Sequence, residues 1–349
     1  MPLKIRNVDD DNLELWDKYV KIRADSTFVD TIAWRTLTEN IYDLNNYWYM
    51  VENNDKIEGA MALTLSSHPI FGRYLATAPF ANHGGFYADA ADVRRVLINK
   101  ATELKSELKA KYVVIRHDNH RLPCPGGWVS DIKYATFRLT LSKDPQELMS
   151  DHFQAKDRSQ IKKSLTNGLT ASFGGIDLLD TFWHVIIRAM SELGSPYHSK
   201  YYLEILLRTF KTNAELVIIR DNTGDPAGAA LLIYHNKNAI LLHANILSKY
   251  RALGCGDFLY WSVIEHCCRR GFSTLDMGRS LINSGNEKYK MKFRPHRILL
   301  SYWYNLSPGV AMPDLNQENS KFKYAIRAWK SMPLWMNQII GPKLISGIL

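Results

Sequence analysis

Short apolar and polar segments alternate over the N-terminal part of the chain. Residues 46–52 (NYWYMVE) and 57–65 (IEGAMALTL) have the aromatic and apolar composition of strands, and the polar residues between them predict a hairpin connection. From residue 91 to 110 the apolar side chains recur at helical spacing, and residues 112–116 (YVVIR) follow as a strand of the buried type. This pattern predicts a mixed α/β arrangement.

The second half of the chain predicts a longer series of elements. In chain order these are strands at 215–220, 227–235 and 239–245, a helix at 259–270, a strand at 272–277, a short helix near 287–293 and a strand at 298–306. Gly271 ends the long helix. The succession of helix, short turn and strand with a charged end occurs in both halves, so that residues 111–116 correspond to residues 271–276.

This element order resembles that of the GNAT acyltransferases. We therefore predict an α/β (α+β) fold of tandem GNAT-like domains, each a mixed, mostly antiparallel sheet flanked by helices. The predicted segments are an N-terminal GNAT-like domain (1–142), a basic connecting helix (143–170), a C-terminal GNAT-like domain (171–310) and an amphipathic basic tail (311–349). Within them, residues 144–167 predict one charged helix that stops at Asn167-Gly168, and residues 178–193 predict another.

Charge and cysteine usage narrow the classes of ligand and compartment. The formal net charge of +9 favours an anionic ligand or surface, without choosing among phosphates, nucleic acid and acidic lipid. The four cysteines lack the paired spacing of a zinc site, so we interpret them as reduced structural thiols and predict no metal. The N-terminal residues lack the apolar stretch of a secretory signal, and no apolar run approaches the roughly 20 residues of a membrane span. We expect a cytoplasmic protein.

The tail from residue 320 carries tryptophan and isoleucine with Lys and Arg interspersed. Such a segment is typical of a surface that contacts a membrane or another subunit. We favour packing onto its own domain, and keep peripheral contact with the inner membrane as the alternative.

One glycine-rich loop is a candidate for binding phosphates. Residues 251–256, which contain Arg251, Gly254, Cys255 and Gly256, lie between a predicted strand and the start of a helix. Glycines let backbone N–H groups approach a phosphate, and the helix dipole favours an anion there. The spacing resembles the pyrophosphate loop of coenzyme-A-dependent GNAT enzymes. A plain turn and helix cap is the alternative interpretation.

A second group of candidates follows that helix. Asp276, Arg279 and Ser280 stand at the end of the next strand, where ligands commonly meet an α/β sheet. They can position an acceptor amine or hydroxyl, although an internal ion pair between Asp276 and Arg279 would serve structure alone. Tyr289 stands where a GNAT tyrosine protonates a leaving thiolate, and Lys290 is a candidate for binding phosphates of the substrate.

Two histidine-bearing loops are further candidates. His198, in the turn that follows the 178–193 helix, is a candidate base, with a structural role as the alternative. His83, Gly84 and Gly85 form a loop whose glycines permit close approach of a substrate. No P-loop or nucleophile elbow occurs, which counts against NTPases and hydrolases.

Several of these segments together resemble FemAB-like proteins, particularly those associated with PEP-CTERM/exosortase (XrtA) exopolysaccharide systems, and the BioF-type acetyltransferase-like domain. The shared segments are the Pro79–Gly85 loop, the strand ending at Arg116, the helix with Lys156, Arg158, Ile161, Lys162, Lys163 and Gly168, the Leu193–His198 turn, Leu259–Trp261 and Asp276–Ser280. The family stretch Phe-Lys-x-x-Trp-Gly keeps only Lys290 here.

The resemblance implies a bacterial transferase that moves an acyl or aminoacyl group to an amine or hydroxyl acceptor in exopolysaccharide, peptidoglycan or other cell-envelope synthesis. No tightly bound cofactor is expected; the co-substrate is acyl-CoA, slightly preferred because of Gly254 and Gly256, or aminoacyl-tRNA. The basic helix with Lys156, Arg158, Lys162 and Lys163 is the candidate surface for tRNA or a lipid- or nucleotide-linked acceptor, and no DNA partner is expected. A catalytically silent GNAT-like scaffold is the rival from another class.

Overall fold

The computed structural model describes residues 3–54, 56–313 and 323–349, which form two compact units. The first unit contains the described residues up to Ala135, together with Ile298–Pro313 and Ser346–Leu349. The second contains Thr136–Arg297 and the described residues between 314 and 345. Each unit contains its own set of strands and helices.

The helices of the described residues are α1 (Leu13–Ile22), α2 (Ile32–Tyr42), α3 (Ala91–Glu107), the one-turn α4 (Pro145–Glu147), α5 (Ala155–Leu165), α6 (Leu179–Leu193), α7 (Lys200–Phe210), α8 (Cys255–Arg269), α9 (Gly285–Met291), α10 (Lys323–Ser331) and α11 (Leu334–Ile345). The strands are β1 (Lys4–Asn7), β2 (Asn45–Asn53), β3 (Lys56–His68), β4 (Gly72–Ala76), β5 (Phe86–Ala88), β6 (Tyr112–His117), β7 (Val129–Thr140), β8 (Thr170–Gly174), β9 (Ala214–Arg220), β10 (Pro226–His235), β11 (Asn238–Ile246), β12 (Thr274–Asp276), β13 (Ser280–Leu281) and β14 (His296–Leu306).

The first unit is a sheet in the order β1-β2-β3-β4-β6-β14, with β5 paired to β3. Its neighbours are antiparallel except for the parallel pair β4 and β6, which the chain joins through α3. On α3, apolar residues one turn apart (Val93, Leu97, Ala101 and Leu104) are buried in the core of this unit. This is the amphipathic stripe that the sequence predicts.

The second unit repeats the same plan. Its sheet runs β8-β9-β10-β11-β12, followed by residues 138–140 of β7. All neighbours are antiparallel except β11 and β12, which are parallel and are joined through α8. The predicted α/β fold with mostly antiparallel sheets is therefore confirmed. Helix α6, with Phe182, Val185 and Ile186 buried, packs against β10 and β11 on one face of the sheet.

The structure differs from the sequence prediction over residues 144–167. The prediction of one continuous helix is wrong. Instead, α4 is followed by a π-helical turn at Leu148–His152, an extended residue at Phe153, and then α5. The Phe153 side chain is buried, and its ring packs edge-on against Trp261 and Phe293. Burial of this ring in the core outweighs the local preference for helix, because burying a phenylalanine contributes about 1.5–3 kcal/mol.

The predicted strand at residues 298–306 does not pair within the C-terminal domain to which the sequence assigned it. Residues 301–306 of β14 form an antiparallel ladder with β6, so they belong to the first unit. The predicted positions of the other strands and helices agree with the structure to within a few residues at their ends.

Candidate functional site

The sheet of the second unit opens where β11 and β12 separate. Their parallel pairing ends at Ile240 and Asp276, after which β12 stops and β11 continues to Ile246. Leu241 is buried, whereas residues 242–246 are all partly exposed. Backbone N–H and C=O groups on such a strand edge need partners, so a ligand can pair with them. We call this opening, between residues 242–246 and the segment after Asp276, the splayed cleft.

The carboxylate of Asp276 shapes the end of β12. Its Oδ1 accepts hydrogen bonds from Thr136 Oγ1 at 2.6 Å and from the backbone N–H of Gly278 at 2.8 Å. Arg138 Nη2 lies 3.9 Å from the other carboxylate oxygen. Gly278 has φ of 75°, a conformation that favours glycine. Asp276 is buried and fixes the turn that leads out of the strand.

Arg279 and Ser280 continue this turn with opposite exposure. Arg279 is exposed, whereas Ser280 is buried. The Ser280 Oγ has no hydrogen-bond partner among the described residues. A buried hydroxyl that has lost its water is a favourable point for a ligand to bond.

Lys290 of α9 supplies a buried amine to the same turn. Its Nζ donates to the carbonyl oxygens of Gly278 at 2.9 Å and Arg279 at 3.1 Å, and it lies 5.5 Å from the centre of the Phe137 ring. Burial lowers the pKa of Lys290 to about 8, although the nearby Asp276 carboxylate acts in the opposite direction. A buried amine with a shifted pKa is typical of functional sites.

The glycines at the start of α8 face protein atoms. A Cβ on Gly254 would lie 3.1 Å from the Cβ of Ser164, and a Cβ on Gly256 would lie 2.9 Å from the hydroxyl of Tyr289. Asn167 Nδ2 donates to the carbonyl of Leu253 at 2.8 Å and ties the same loop to the end of α5. Close packing therefore accounts for both glycines.

The other loop candidates divide between the surface and the interior. Arg251 is exposed, in the 3₁₀ turn Ser248–Leu253. Cys255 is fully buried, and burial raises the pKa of its thiol to about 12, so it stays protonated.

Tyr289 contacts this helix start through its hydroxyl group. The hydroxyl donates to Asp257 Oδ1 at 2.9 Å, and Lys292 Nζ donates to the same oxygen at 2.7 Å. Burial is the main cause that raises the pKa of Tyr289. The phenolic proton is therefore engaged by a carboxylate in the first turn of α8, where the helix dipole also stabilises that negative charge.

Two histidines lie on the face of the sheet that α6 and α7 cover. His198 is buried, its ring stacks on Tyr202 at 4.1 Å, and burial lowers its pKa well below the usual value. His243 lies on β11, three residues beyond the last pair with β12, and its ring is 5.0 Å from that of Tyr197. Its Nε2 has no partner among the described residues, and burial lowers its pKa to about 4.

Sequence reasoning did not select His243. The available signal was a polar residue inside the apolar strand 239–246, at the point where the sheet opens.

The basic residues of α5 have two different roles. Lys156, Lys162 and Lys163 are exposed. Lys156 and Lys163 are seven residues apart, so they share one face of the helix about 10 Å apart along its axis. Arg158, in contrast, donates from Nη1 to the carbonyls of Ser150 at 2.6 Å and Phe153 at 3.0 Å, which ties α5 to the preceding turn.

The His83–Gly85 loop belongs to the first unit, where it packs against protein. The Gly85 N–H donates to the buried carboxylate of Asp30 at 2.7 Å, and the Gly84 N–H donates to the carbonyl of Arg116 at 3.2 Å. Both glycines have positive φ. His83 Nε2 lies 3.7 Å from Asp118 Oδ2, and its buried Nδ1 has no partner among the described residues.

The side chains of the described residues contain no group of three or more His, Cys, Asp or Glu that could hold a metal ion. The cysteines are free thiols, with Cys255, Cys267 and Cys268 buried.

One family model matches part of the second unit. Residues 153–291 match the family model of the acetyltransferase (GNAT) domain, a span that includes α5, the splayed cleft and α9. No curated protein matches the sequence. Several solved structures share the fold.

FemX is 13% identical, with a TM-score of 0.65 over 87% of this chain and 97% of that chain. A tandem GNAT protein from the clavulanic acid biosynthesis pathway is 13% identical, with a TM-score of 0.57 over 88% of this chain and 100% of that chain. L-PGS from Bacillus licheniformis is 12% identical, with a TM-score of 0.53 over 92% of this chain and 95% of that chain.

The fold is therefore that of the tandem GNAT proteins. More narrowly, it is a FemAB-like fold, and residues 153–291 match the acetyltransferase (GNAT) domain model, as the resemblance in the sequence implied.

Proposed function

We propose that this protein transfers an acyl or aminoacyl group from an activated, anionic carrier to an amine or hydroxyl acceptor, at the splayed cleft of the second unit. The observation that carries the proposal is the coincidence of an open β11 edge with the buried amine of Lys290 at the adjoining strand end. The GNAT fold supports the transferase class, since this fold generally uses acyl-CoA as co-substrate.

The proposed chemistry is direct attack without a covalent enzyme intermediate. The nucleophile of the acceptor forms a bond to the carbonyl carbon, the bond to the leaving sulfur or oxygen breaks, and the acceptor proton leaves with the carrier. The negative oxygen of the tetrahedral intermediate requires a preorganised donor. Lys290 fits this role because two carbonyls hold its ammonium in place and a third N–H is left for the oxyanion.

Positioning of the acceptor is assigned to Ser280 and His243. Each offers a buried polar atom without a partner among the described residues. Because the pKa of His243 is about 4, its imidazole is neutral at neutral pH and can accept a hydrogen bond from an amine or hydroxyl. Asp276 shapes the wall of the cleft, and His198 supports it through its stack on Tyr202.

The donor is either acyl-CoA or aminoacyl-tRNA. The packing at the start of α8 changes which of the two we favour. The glycines that favoured coenzyme A are explained by contacts with Ser164 and Tyr289. The carboxylate of Asp257, bonded by Tyr289 and Lys292, occupies the first turn of α8, where a pyrophosphate would bind. The exposed lysines of α5 suit a polyphosphate such as tRNA, so aminoacyl-tRNA becomes the stronger donor candidate.

Binding assays across salt concentration test the donor. We expect charged tRNA to bind with a strong salt dependence, and the variant Lys156→Gln/Lys163→Gln to reduce the slope of log K against log salt by roughly 2. Lys18→Gln/Lys21→Gln in α1 is a matched control that removes the same charge from the first unit. Tight acetyl-CoA binding with no tRNA affinity would instead assign a coenzyme A donor.

A transfer assay with the assigned donor tests the catalytic role. We expect Lys290→Met to lower the rate of donor-dependent transfer by about 100-fold, the effect typical of removing one oxyanion donor. Lys288→Met, two residues away on the exposed face of the same helix, is the matched control and should keep full activity. Equal rates for both variants would show that Lys290 takes no part in the reaction.

The acceptor is proposed to belong to cell-envelope or exopolysaccharide synthesis, carried on a lipid or nucleotide, on the inner side of the membrane. FemX and L-PGS have the same fold. The rival is a catalytically silent scaffold. Calorimetry without any donor binding, together with full complementation by Asp276→Ala/Arg279→Ala, would favour the scaffold over the transferase.

A further inference from the structure

The helices α10 and α11 pack against the second unit. On α10, Ile326 packs so closely against Gly194 that a Cβ there would lie 2.5 Å from the Ile326 side chain. On α11, Asn337 is buried and donates to Ser191 Oγ at 2.7 Å. Gly341 lies against the backbone of Tyr197. The expected packing of the tail onto its own domain is therefore observed for the described residues.

The same two helices expose large apolar side chains. Tyr324 is 79% exposed, Trp335 is 62% exposed and Ile339 is 56% exposed. Trp335 and Ile339 are four residues apart on α11, so they stand one above the other on one face of the helix. We call Trp335 and Ile339 the aromatic face of α11. Because Ile326, Asn337 and Gly341 are committed to α6 and its following turn, intrachain packing leaves the aromatic face to solvent.

The charged residues of α10 and α11 all have one sign. Residues 323–345 contain Lys323, Arg327, Lys330 and Lys343 and no Asp or Glu. Lys323, Arg327 and Lys330 are exposed on the same helix as Tyr324. Trp and Tyr prefer the boundary between headgroups and acyl chains, while Lys and Arg are attracted to acidic headgroups. A protein partner would require complementary acids, whereas an anionic bilayer satisfies both features at once.

We propose that the aromatic face binds the surface of an anionic membrane, with Trp335 and Ile339 inserted at the headgroup boundary and the basic residues of α10 against acidic headgroups. This is peripheral binding. No helix among residues 3–54, 56–313 and 323–349 is long and apolar enough to cross a membrane. The proposal concerns attachment alone and does not depend on the transfer reaction.

Co-sedimentation of the full chain with vesicles tests this. Vesicles of equal parts phosphatidylglycerol and phosphatidylcholine are compared with vesicles of phosphatidylcholine alone. We expect binding to the anionic vesicles, about tenfold or more weaker binding to neutral ones, and loss of about tenfold or more in Trp335→Ser/Ile339→Ser, since affinity follows buried apolar area and charge.

The matched control is Ile70→Ser/Tyr201→Ser, which removes two equally exposed apolar side chains elsewhere on the chain. It should bind as the unaltered protein does. Thermal unfolding should be similar for all variants, since the altered side chains are exposed. Light scattering of the same proteins measures association of the chain with itself.

Three results would overturn the proposal. They are an absence of binding to anionic vesicles, equal binding by Trp335→Ser/Ile339→Ser and the unaltered chain, and a dimer that becomes monomeric only in Trp335→Ser/Ile339→Ser. The last result would assign the aromatic face to a second copy of the chain.

Discussion

Lys290 shows how burial changes the chemistry of a single residue. Its ammonium group is removed from water and held by two carbonyl oxygens, so its pKa falls to about 8 while the neighbouring Asp276 favours the charged form. The lysine is therefore mostly charged at neutral pH. That charge state suits stabilisation of an oxyanion better than proton abstraction.

The depressed pKa of Lys290 predicts a specific pH dependence of stability. Unfolded lysine titrates near 10.4, so between pH about 8 and 10.4 the unfolded chain binds more protons than the folded one. Stability contributed by this group should rise across that range, by an amount on the order of 3 kcal/mol. Denaturant unfolding of Lys290→Met and of the unaltered chain measures this effect. The free energy of unfolding of the unaltered chain should increase relative to that of Lys290→Met as the pH rises. A difference that does not change with pH would contradict the lowered pKa.

Substitution of Asp276 and of Arg279 should have different effects on the stability of the protein. Asp276→Ala leaves the Thr136 hydroxyl and the Gly278 N–H without their acceptor, which should lower the free energy of unfolding by about 1–3 kcal/mol. Arg279→Ala removes an exposed side chain and should change stability by less than about 0.5 kcal/mol. Urea unfolding measures both free energies. If Asp276→Ala unfolds with the same free energy as the unaltered chain, the carboxylate does not have the structural role described here.

At the scale of elements, the start of α8 is packed on two sides. Ser164 of α5 meets Gly254, and Tyr289 of α9 meets Gly256. A loop that has the pattern of a phosphate site is here a junction of three helices. The two functions require the same residue type, because both a ligand and a neighbouring helix need the space that a side chain would take.

From this packing we predict that Gly256→Ala destabilises the protein and that Tyr289→Phe relieves the effect. Gly256→Ala places a Cβ 2.9 Å from the Tyr289 hydroxyl and should destabilise the protein by about 1–3 kcal/mol. Adding Tyr289→Phe removes that oxygen and should recover most of the loss, although the bond to Asp257 is lost as well. Thermal unfolding of both single variants and the double variant gives the coupling, and strict additivity would exclude the contact as the cause.

At the scale of the molecule, residues distant in sequence complete the first unit. Tyr74 on β4 donates its hydroxyl hydrogen to the carbonyl of Gly347 at 2.8 Å and accepts the N–H of Leu349 at 2.9 Å. Arg116 on β6 donates to the carbonyl of Leu349 at 2.6 Å. The Leu349 side chain is buried in the same cluster as Tyr74. Gly347 and Leu349 thus bond to Tyr74 and Arg116, from which they are separated by more than 200 positions along the chain.

Removal of residues 346–349 tests this dependence. The truncation loses one buried leucine and three hydrogen bonds, so we expect the first unit to lose about 3 kcal/mol or more of stability. Tyr74→Phe keeps the buried ring and should cost only about 1–2 kcal/mol. Hydrogen exchange of β4 and β6 measures the effect where it occurs, and unchanged protection in the truncated chain would show that the segment contributes little.

The sequence by itself determined most of the segments that become helices and strands, and it indicated the repeated order of helix, short turn and strand. This was possible because the spacing of apolar residues follows the geometry of the helix or strand itself and does not depend on which element packs against it. The stripe on α3 and the strands β9 to β11 were predictable for this reason. The group of segments around Asp276–Ser280 likewise indicated the FemAB-like fold.

Only the tertiary structure decided what these elements contact. It broke the predicted helix at Phe153 to bury an aromatic ring, paired β14 with β6, and filled the space beside Gly254 and Gly256 with protein atoms. It also gave Lys290 and His243 their shifted pKa values. Each of these outcomes depends on groups far apart along the chain, and local spacing carries no information about which distant surface will cover a residue and remove it from water.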